Sequence, residues 1–77
     1  MYGQIDAVTE AVRLTPRESD VVHLIALGCT YAQVADRLDV SLHTVTSHIK
    51  NLYRKLGVRS GAAAVMRAVE LRIIGEA

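Results

Sequence analysis

Residues that can begin helices recur along this 77-residue chain, and they constrain its fold most strongly. At four positions a Ser or Thr precedes a short segment whose apolar residues follow the helical spacing. Such a hydroxyl accepts a hydrogen bond from a backbone N–H two or three residues later and so begins a helix. The four positions are Thr15, Thr30, Ser41 and Ser60. They predict helices over 16–27, 31–38, 42–56 and 61–74.

Glycines stand where three of these helices are expected to end, at Gly28, Gly57 and Gly75. Glycine adopts the left-handed conformation that closes many helices without a steric penalty. No segment alternates apolar and polar residues with the period of two that is typical of a strand. The chain is therefore expected to be all-α, with four helices.

The first thirteen residues are set apart from the rest of the chain. Ile5, Val8 and Val12 are spaced as on a helix, which predicts a short extra helix or a loose arm over 1–13. The domain itself is expected over 14–77. With 51% hydrophobic residues the chain is too apolar for a disordered tail.

The residue types present argue against catalysis. The single cysteine, Cys29, can form neither an intrachain disulfide nor a four-cysteine metal site. The three histidines are not at metal-ligand spacing with it, and neither a nucleophile–base–acid set nor a glycine-rich phosphate loop is present. The sequence therefore predicts no enzyme, no cofactor and no metal.

The hydropathy pattern argues against a membrane as partner. The longest segment without Asp, Glu, Lys or Arg runs from 21 to 35, which is shorter than the about 20 apolar residues that a spanning helix needs. Residues 1–10 hold two acids and no base, unlike a signal peptide. The expected location is the cytoplasm.

Charge is distributed unevenly along the chain. Residues 1–39 hold three bases and six acids, a net charge of −3, whereas residues 40–77 hold six bases and two acids, a net charge of +4. No acid stands between Asp39 and Glu70. A segment of one sign is either a solvated basic face or the footprint of an anionic partner.

The second and third predicted helices have the dimensions of a helix-turn-helix, a short helix and a longer one joined by residues 39–41. The longer helix, 42–56, has apolar residues at 45, 49, 52 and 56. Small hydroxyl groups near its start suit the edges of bases, and cations further along suit phosphates. Its opposite face presents His43, Thr46, Ser47, Lys50, Asn51 and Arg54.

Several linked motifs resemble one known family, the LuxR-type (also GerE- or FixJ-type) DNA-binding domain. The similarity covers about 14 to 74, with motifs at the spacing of that family. They are Leu14-Thr15-Pro16-Arg17-Glu18, Ile25-Ala26-Leu27-Gly28, Val34-Ala35-Asp36-Arg37-Leu38, Ser41-Leu42-His43-Thr44-Val45, His48 and Tyr53-Arg54-Lys55-Leu56-Gly57-Val58-Arg59-Ser60.

The resemblance implies a four-helix domain that binds promoter DNA and regulates transcription in bacteria. It implies DNA-facing roles for Thr44, Thr46, Ser47 and Lys50, and a role near the DNA backbone for Lys55. His43 either contacts DNA or does not. Tyr31 begins the shorter helix. Its hydroxyl either donates a hydrogen bond to a phosphate or lies exposed, and the first interpretation is preferred.

The chain departs from the family at several positions. Residues 32 and 46 are often basic in the family but are Ala32 and Thr46 here. Residue 63 is often Glu or Gln and residue 72 often Gly, where this chain has Ala63 and Arg72. Arg72 suggests that the last helix extends further than in the family.

The last predicted helix has more apolar surface than one face can bury against a small core, which predicts a homodimer. The expected interface residues are Ala62, Val65, Met66, Val69 and Ile73. The alternative is that Met66 and Val69 belong to the core of the monomer.

The preferred function is a DNA-binding transcriptional regulator that acts on double-stranded promoter DNA as a homodimer. RNA polymerase is a further candidate partner. The alternative is an interaction module that pairs with a larger LuxR-type regulator and inhibits it. The absence of basic residues at 32 and 46 favours the alternative, whereas Lys50, Arg54 and Lys55 favour DNA binding.

Overall fold

The computed structural model describes residues 12–75, and within this range the chain forms four α-helices and no strand. The all-α expectation is confirmed for these residues. Of the short helix or loose arm predicted for 1–13, residues 1–11 lie outside the described residues, as do 76–77, and residues 12 and 13 are not helical. The helices are α1 (Pro16–Ala26), α2 (Tyr31–Leu38), α3 (Leu42–Leu56) and α4 (Gly61–Glu70).

Each helix begins at its predicted cap. The hydroxyl of Thr15 accepts a hydrogen bond from the backbone N–H of Glu18 at 3.1 Å, and the Glu18 carboxylate accepts one from the N–H of Thr15 at 2.9 Å. The side chains of Thr30, Ser41 and Ser60 cap the next three helices in the same position. Cap geometry uses only neighbours within three residues, so a short sequence window predicts it.

The four helices end in the same backbone arrangement. The first or second residue after each helix has a positive φ. The N–H of the residue that follows it donates to a carbonyl five positions earlier, the Schellman arrangement. The residues with positive φ are Gly28 (92°), Asp39 (57°), Gly57 (69°) and Arg72 (60°). The closing bonds are Cys29 to Leu24 (3.1 Å), Val40 to Ala35 (3.0 Å), Val58 to Tyr53 (3.0 Å) and Ile73 to Ala68 (2.8 Å).

The last helix is shorter than predicted, because it ends at Glu70 rather than at residue 74. The expectation that Arg72 lengthens it is wrong, since Arg72 itself takes the left-handed conformation. Ending the helix there lets Leu71, Ile73 and Ile74 pack against the core. Full burial of one such side chain is worth about 1.5–3 kcal/mol. The three are partly buried, and together they outweigh the about 1–2 kcal/mol cost of a left-handed arginine.

The core is built from aliphatic side chains of all four helices, with α3 as the largest contributor. Its buried residues Val45, Ile49, Leu52 and Leu56 are those that the spacing predicts. The other helices contribute Val21, Val22, Val34, Ala35, Ala64 and Ala68. Because one side of α3 packs in the core, the helix is held in place and its opposite side is exposed at the surface.

Candidate nucleic-acid interface

The side of α3 that faces away from the core is exposed and carries no carboxylate. We call its six exposed residues the open face: Leu42, His43, Thr46, Ser47, Lys50 and Arg54. All of them except Leu42 are residues for which the sequence predicts DNA contact. The sequence pattern does not single out Leu42 as a contact, because its side chain has neither charge nor hydrogen-bonding groups, although its position directly after the Ser41 cap places it in the first turn.

Thr44 and Asn51 are half-buried beside the open face rather than on it. The Thr44 hydroxyl lies 2.9 Å from that of Ser41, whose oxygen also accepts the N–H of Thr44 at 3.0 Å. The amide oxygen of Asn51 accepts a hydrogen bond from the guanidinium of Arg54 at 3.2 Å. These two predicted site residues therefore support the cap and orient a cation.

Lys55 is also predicted as a DNA contact, and the structure gives it a partner within the chain. Its Nζ lies 2.7 Å from Oε1 of Glu18, a residue that is 3% exposed. Burial raises the pKa of the Glu18 carboxyl, but hydrogen bonds from Lys55 and from the Thr15 backbone, with the charge of Lys55, outweigh it and leave that pKa below 4.5. Glu18 is therefore ionised at neutral pH and compensates the charge of Lys55.

Tyr31 is the first residue of α2, and its hydroxyl lies 2.9 Å from the hydroxyl of Tyr53 on α3. Tyr53 is half-buried against the core, next to the start of α4, where a Cβ built on Gly61 would be 3.5 Å from its oxygen. Burial, the hydrogen bond with Tyr31 and the charge of an ionised Tyr31 raise the pKa of Tyr53 to about 12. One of the two hydroxyl protons is used between the tyrosines, and the other is free for another acceptor.

The cations of the open face differ from Arg17 and Arg67 of the same domain in having no acidic partner among residues 12–75. Arg17 and Arg67 each form an ion pair with an acid three residues later, at 3.7 and 3.5 Å. Over residues 12–75, by contrast, neither Lys50 nor Arg54 has an acidic partner. Unpaired cations on a helix face attract a polyanion.

Two other features, a metal site and a membrane-spanning helix, are not indicated by the part of the chain that the structure describes. Its His, Cys, Asp and Glu residues form no group that could hold a metal ion. None of its helices is long and apolar enough to cross a membrane.

A second apolar surface lies on α4, where four apolar residues are spaced as one helical stripe, of which Ala62 and Met66 are exposed and Val65 and Val69 are half-buried. Ala64 and Ala68 face the core, whereas Met66 is 67% exposed, so the alternative that Met66 belongs to the monomer core is wrong. Ile73, predicted for the same surface, lies beyond the end of the helix and packs against the core. The stripe, called the α4 stripe below, consists of Ala62, Val65, Met66 and Val69.

Comparison with known proteins gives matches over most of the described residues. The family profile "Bacterial regulatory proteins, luxR family" matches residues 12–68. The nitrate/nitrite response regulator protein NarP of Escherichia coli (strain K12) is 48% identical over 59 residues, which cover 77% of this chain and 27% of NarP. The HTH-type transcriptional regulator MalT of Yersinia pestis (strain Pestoides F) is 41% identical over 70 residues, which cover 91% of this chain and 8% of MalT.

The fold is similar to that of a solved response regulator. The crystal structure of the response regulator ChrA, from a heme-sensing two-component system, superposes with a TM-score of 0.79 at 34% sequence identity. The match covers 80% of this chain and 31% of the ChrA chain. The chain thus spans less than a third of the length of NarP, MalT or ChrA.

Proposed function

Because the chain belongs to the luxR family of bacterial regulatory proteins, we propose that it binds promoter DNA and regulates transcription, with α3 in the major groove. One observation carries this proposal: the open face of α3 is exposed, supported by the core and free of acids. The major groove accommodates an α-helix and exposes the hydrogen-bonding edges of the bases. Such an activity belongs in the bacterial cytoplasm, where promoter DNA is found.

Base contacts are assigned to the first half of the open face. The N-terminal residues of a recognition helix contact base edges in helix-turn-helix proteins. His43, Thr46 and Ser47 occupy that part of α3 and are exposed. Thr44 supports this turn through its bonds to Ser41.

Phosphate contacts are assigned to the cations and to the tyrosine pair. Lys50 and Arg54 are exposed and free of acidic partners among residues 12–75, and Asn51 orients Arg54. Tyr31 offers its hydroxyl from the start of α2. Lys55 contributes less than Lys50, because Glu18 already compensates its charge.

Dimerisation is assigned to the α4 stripe. A helix with one apolar side in the core and a second on the surface needs a second partner to bury both. A two-fold pair joined by this stripe would present two copies of α3 to successive turns of the major groove, about 34–36 Å apart.

The second candidate is an inhibitory module that pairs with a larger luxR-type regulator. The exposed positions 32 and 46 carry no charge, which reduces the attraction to DNA relative to basic residues there. The same α4 stripe suits a heterodimer as well as a homodimer. RNA polymerase remains a further predicted partner of a DNA-bound form.

Selection from a library of duplexes with a randomised centre tests the first candidate. We expect one enriched sequence with two related half-sites, bound more tightly than an unrelated duplex in a fluorescence anisotropy titration. The double variant Lys50→Gln/Arg54→Gln serves as the control and should bind both duplexes weakly. Absence of any enrichment, combined with a stable complex with a larger luxR-type regulator, would favour the second candidate.

A further inference from the structure

Leu42 is the one apolar side chain on the open face. It is the first residue of α3 and is 52% exposed. Thr46 and Lys50 follow at intervals of four residues, so the three side chains lie along one side of the helix. A single exposed leucine has no functional meaning by itself, but this one is placed among residues that face a proposed ligand.

The hydroxyl of Thr46 is already engaged by the helix. Its Oγ1 donates a hydrogen bond to the carbonyl oxygen of Leu42 at 3.0 Å. A hydroxyl has a single proton, so Thr46 donates none to a base while this bond is present. It retains its oxygen lone pairs and its methyl group. The N-terminal part of α3 therefore presents two aliphatic groups, from Leu42 and Thr46.

We propose that Leu42, with the methyl group of Thr46, recognises the C5-methyl group of a thymine in each half-site, an inference that rests on the proposed DNA binding of α3. Thymine is the one base with an apolar group on its major-groove edge. An aliphatic side chain in contact with that methyl group favours thymine over cytosine, which has a hydrogen atom there and an amino group beside it. Leu42 is thus a specificity-determining residue.

The charges around Leu42 favour DNA over an apolar groove of another protein. An apolar protein partner needs a contiguous apolar surface, but the other residues of the open face are polar or cationic. Lys50 lies on the same side of α3 as Leu42 and has no acidic partner among residues 12–75. DNA offers both matching partners: a thymine methyl group for Leu42 and a nearby phosphate for Lys50.

Replacement of thymine by deoxyuridine tests the proposal, because it removes only the C5-methyl group. The parent chain first selects its duplex from the randomised library, and each thymine is then replaced singly. Binding is measured by fluorescence anisotropy for the parent, Leu42→Ala and Leu27→Ala. Leu27 is the matched control, since it is a leucine that is 74% exposed, lies directly after α1 and is not part of the open face.

At one thymine of each half-site, we expect the replacement to weaken binding of the parent and of Leu27→Ala about fourfold, the effect of one buried methyl group. Leu42→Ala should bind the thymine and uracil duplexes equally. A uracil effect of the same size in Leu42→Ala, or a specific duplex in which no thymine shows the effect, would overturn the proposal. Failure to enrich any duplex would overturn DNA binding itself and this proposal with it.

Two variants of Thr46 separate its methyl group from its hydroxyl. Thr46→Val removes the hydroxyl and keeps a methyl group, so the preference for thymine should persist. Thr46→Ser keeps the hydroxyl and removes the methyl group, so that preference should decrease. The opposite order would show that the hydroxyl recognises the base and would overturn the apolar mechanism.

Discussion

The ammonium group of Lys55 lies 2.7 Å from Oε1 of Glu18, and the same oxygen accepts the backbone N–H of Thr15 at 2.9 Å. Glu18 is the one buried charged residue among residues 12–75. The two side chains are 37 residues apart in sequence, and they join the first turn of α1 to the last turn of α3. This ion pair therefore fixes the C-terminal end of α3, and with it that end of the open face, against α1.

Glu18→Gln keeps a capping acceptor but removes the charge opposite Lys55, and it should lower the free energy of unfolding at neutral pH by about 1–3 kcal/mol. Because the folded pKa of Glu18 is lowered, its contribution is present above pH 4.5 and is lost as the pH falls through the lowered value. Urea denaturation of parent and variant should therefore converge in acid. The control Asp20→Asn removes an exposed ion pair with Arg17 and should change stability by less than about 1 kcal/mol. A parent–variant difference that is independent of pH would contradict this role.

The slope of log affinity against log salt concentration is negative, and Lys50→Met should make it shallower by about 1, because an unpaired cation is lost from the open face. Lys55→Met should change this slope less and should instead lower the melting temperature, since Glu18 is left buried without its partner. Anisotropy titrations at several salt concentrations and thermal melts measure both effects. Equal slope changes would indicate that Lys55 contacts phosphate as fully as Lys50 does.

Arg72→Gly should raise the free energy of unfolding by about 0.5–1 kcal/mol, because arginine is strained at a φ of 60° and glycine is not. Gly57→Ala should lower it by a similar amount, about 0.5–1 kcal/mol, for the converse reason. A Cβ at Gly57 meets no atom within 4 Å, so this loss is conformational rather than steric. Urea denaturation measures both changes. A destabilised Arg72→Gly would show that the arginine side chain contributes more than its backbone costs.

Met66→Glu should dissociate the proposed homodimer, because it places a charge in the middle of the α4 stripe. Met66 is 67% exposed, so the monomer should keep its fold and its helical circular dichroism spectrum. Sedimentation at micromolar concentration compares the parent, Met66→Glu, Val69→Glu and the control Leu27→Glu, which should stay dimeric. A parent that is monomeric both free and on a palindromic duplex would rule out the dimer.

The tyrosine pair should make the domain sensitive to alkali. The pKa of Tyr53 is about 12 in the folded chain, against an ordinary value of 10.0. A raised pKa of this kind gives stability that is fully present below pH 10 and is lost as the pH rises towards 12. In Tyr31→Phe the pKa of Tyr53 should decrease, because a hydrogen bond and a neighbouring charge are removed. An absorbance titration measures the pKa of Tyr53, and Tyr53→Phe identifies which phenol gives the signal near pH 12. An unchanged pKa of Tyr53 in Tyr31→Phe would contradict an interaction between the two tyrosines.

Much of the fold was predictable from short sequence windows. The helix starts at Thr15, Thr30, Ser41 and Ser60 are set by bonds to residues three positions away. The apolar spacing of α3 identified its buried side and hence the exposed positions opposite it. The helix periodicity alone predicted His43, Thr46, Ser47, Lys50 and Arg54 as residues of one surface.

Contacts between distant residues required the tertiary structure. The sequence determined where helices begin and which side of α3 is apolar, because both depend on neighbours within one or two turns. The structure decided that Lys55 pairs with Glu18 and that Tyr31 pairs with Tyr53, which are 22 residues apart, since only helix packing brings these atoms together. It also decided that α4 ends before Arg72, because burial of Ile73 and Ile74 against the core outweighs the local preference of arginine for a helical conformation.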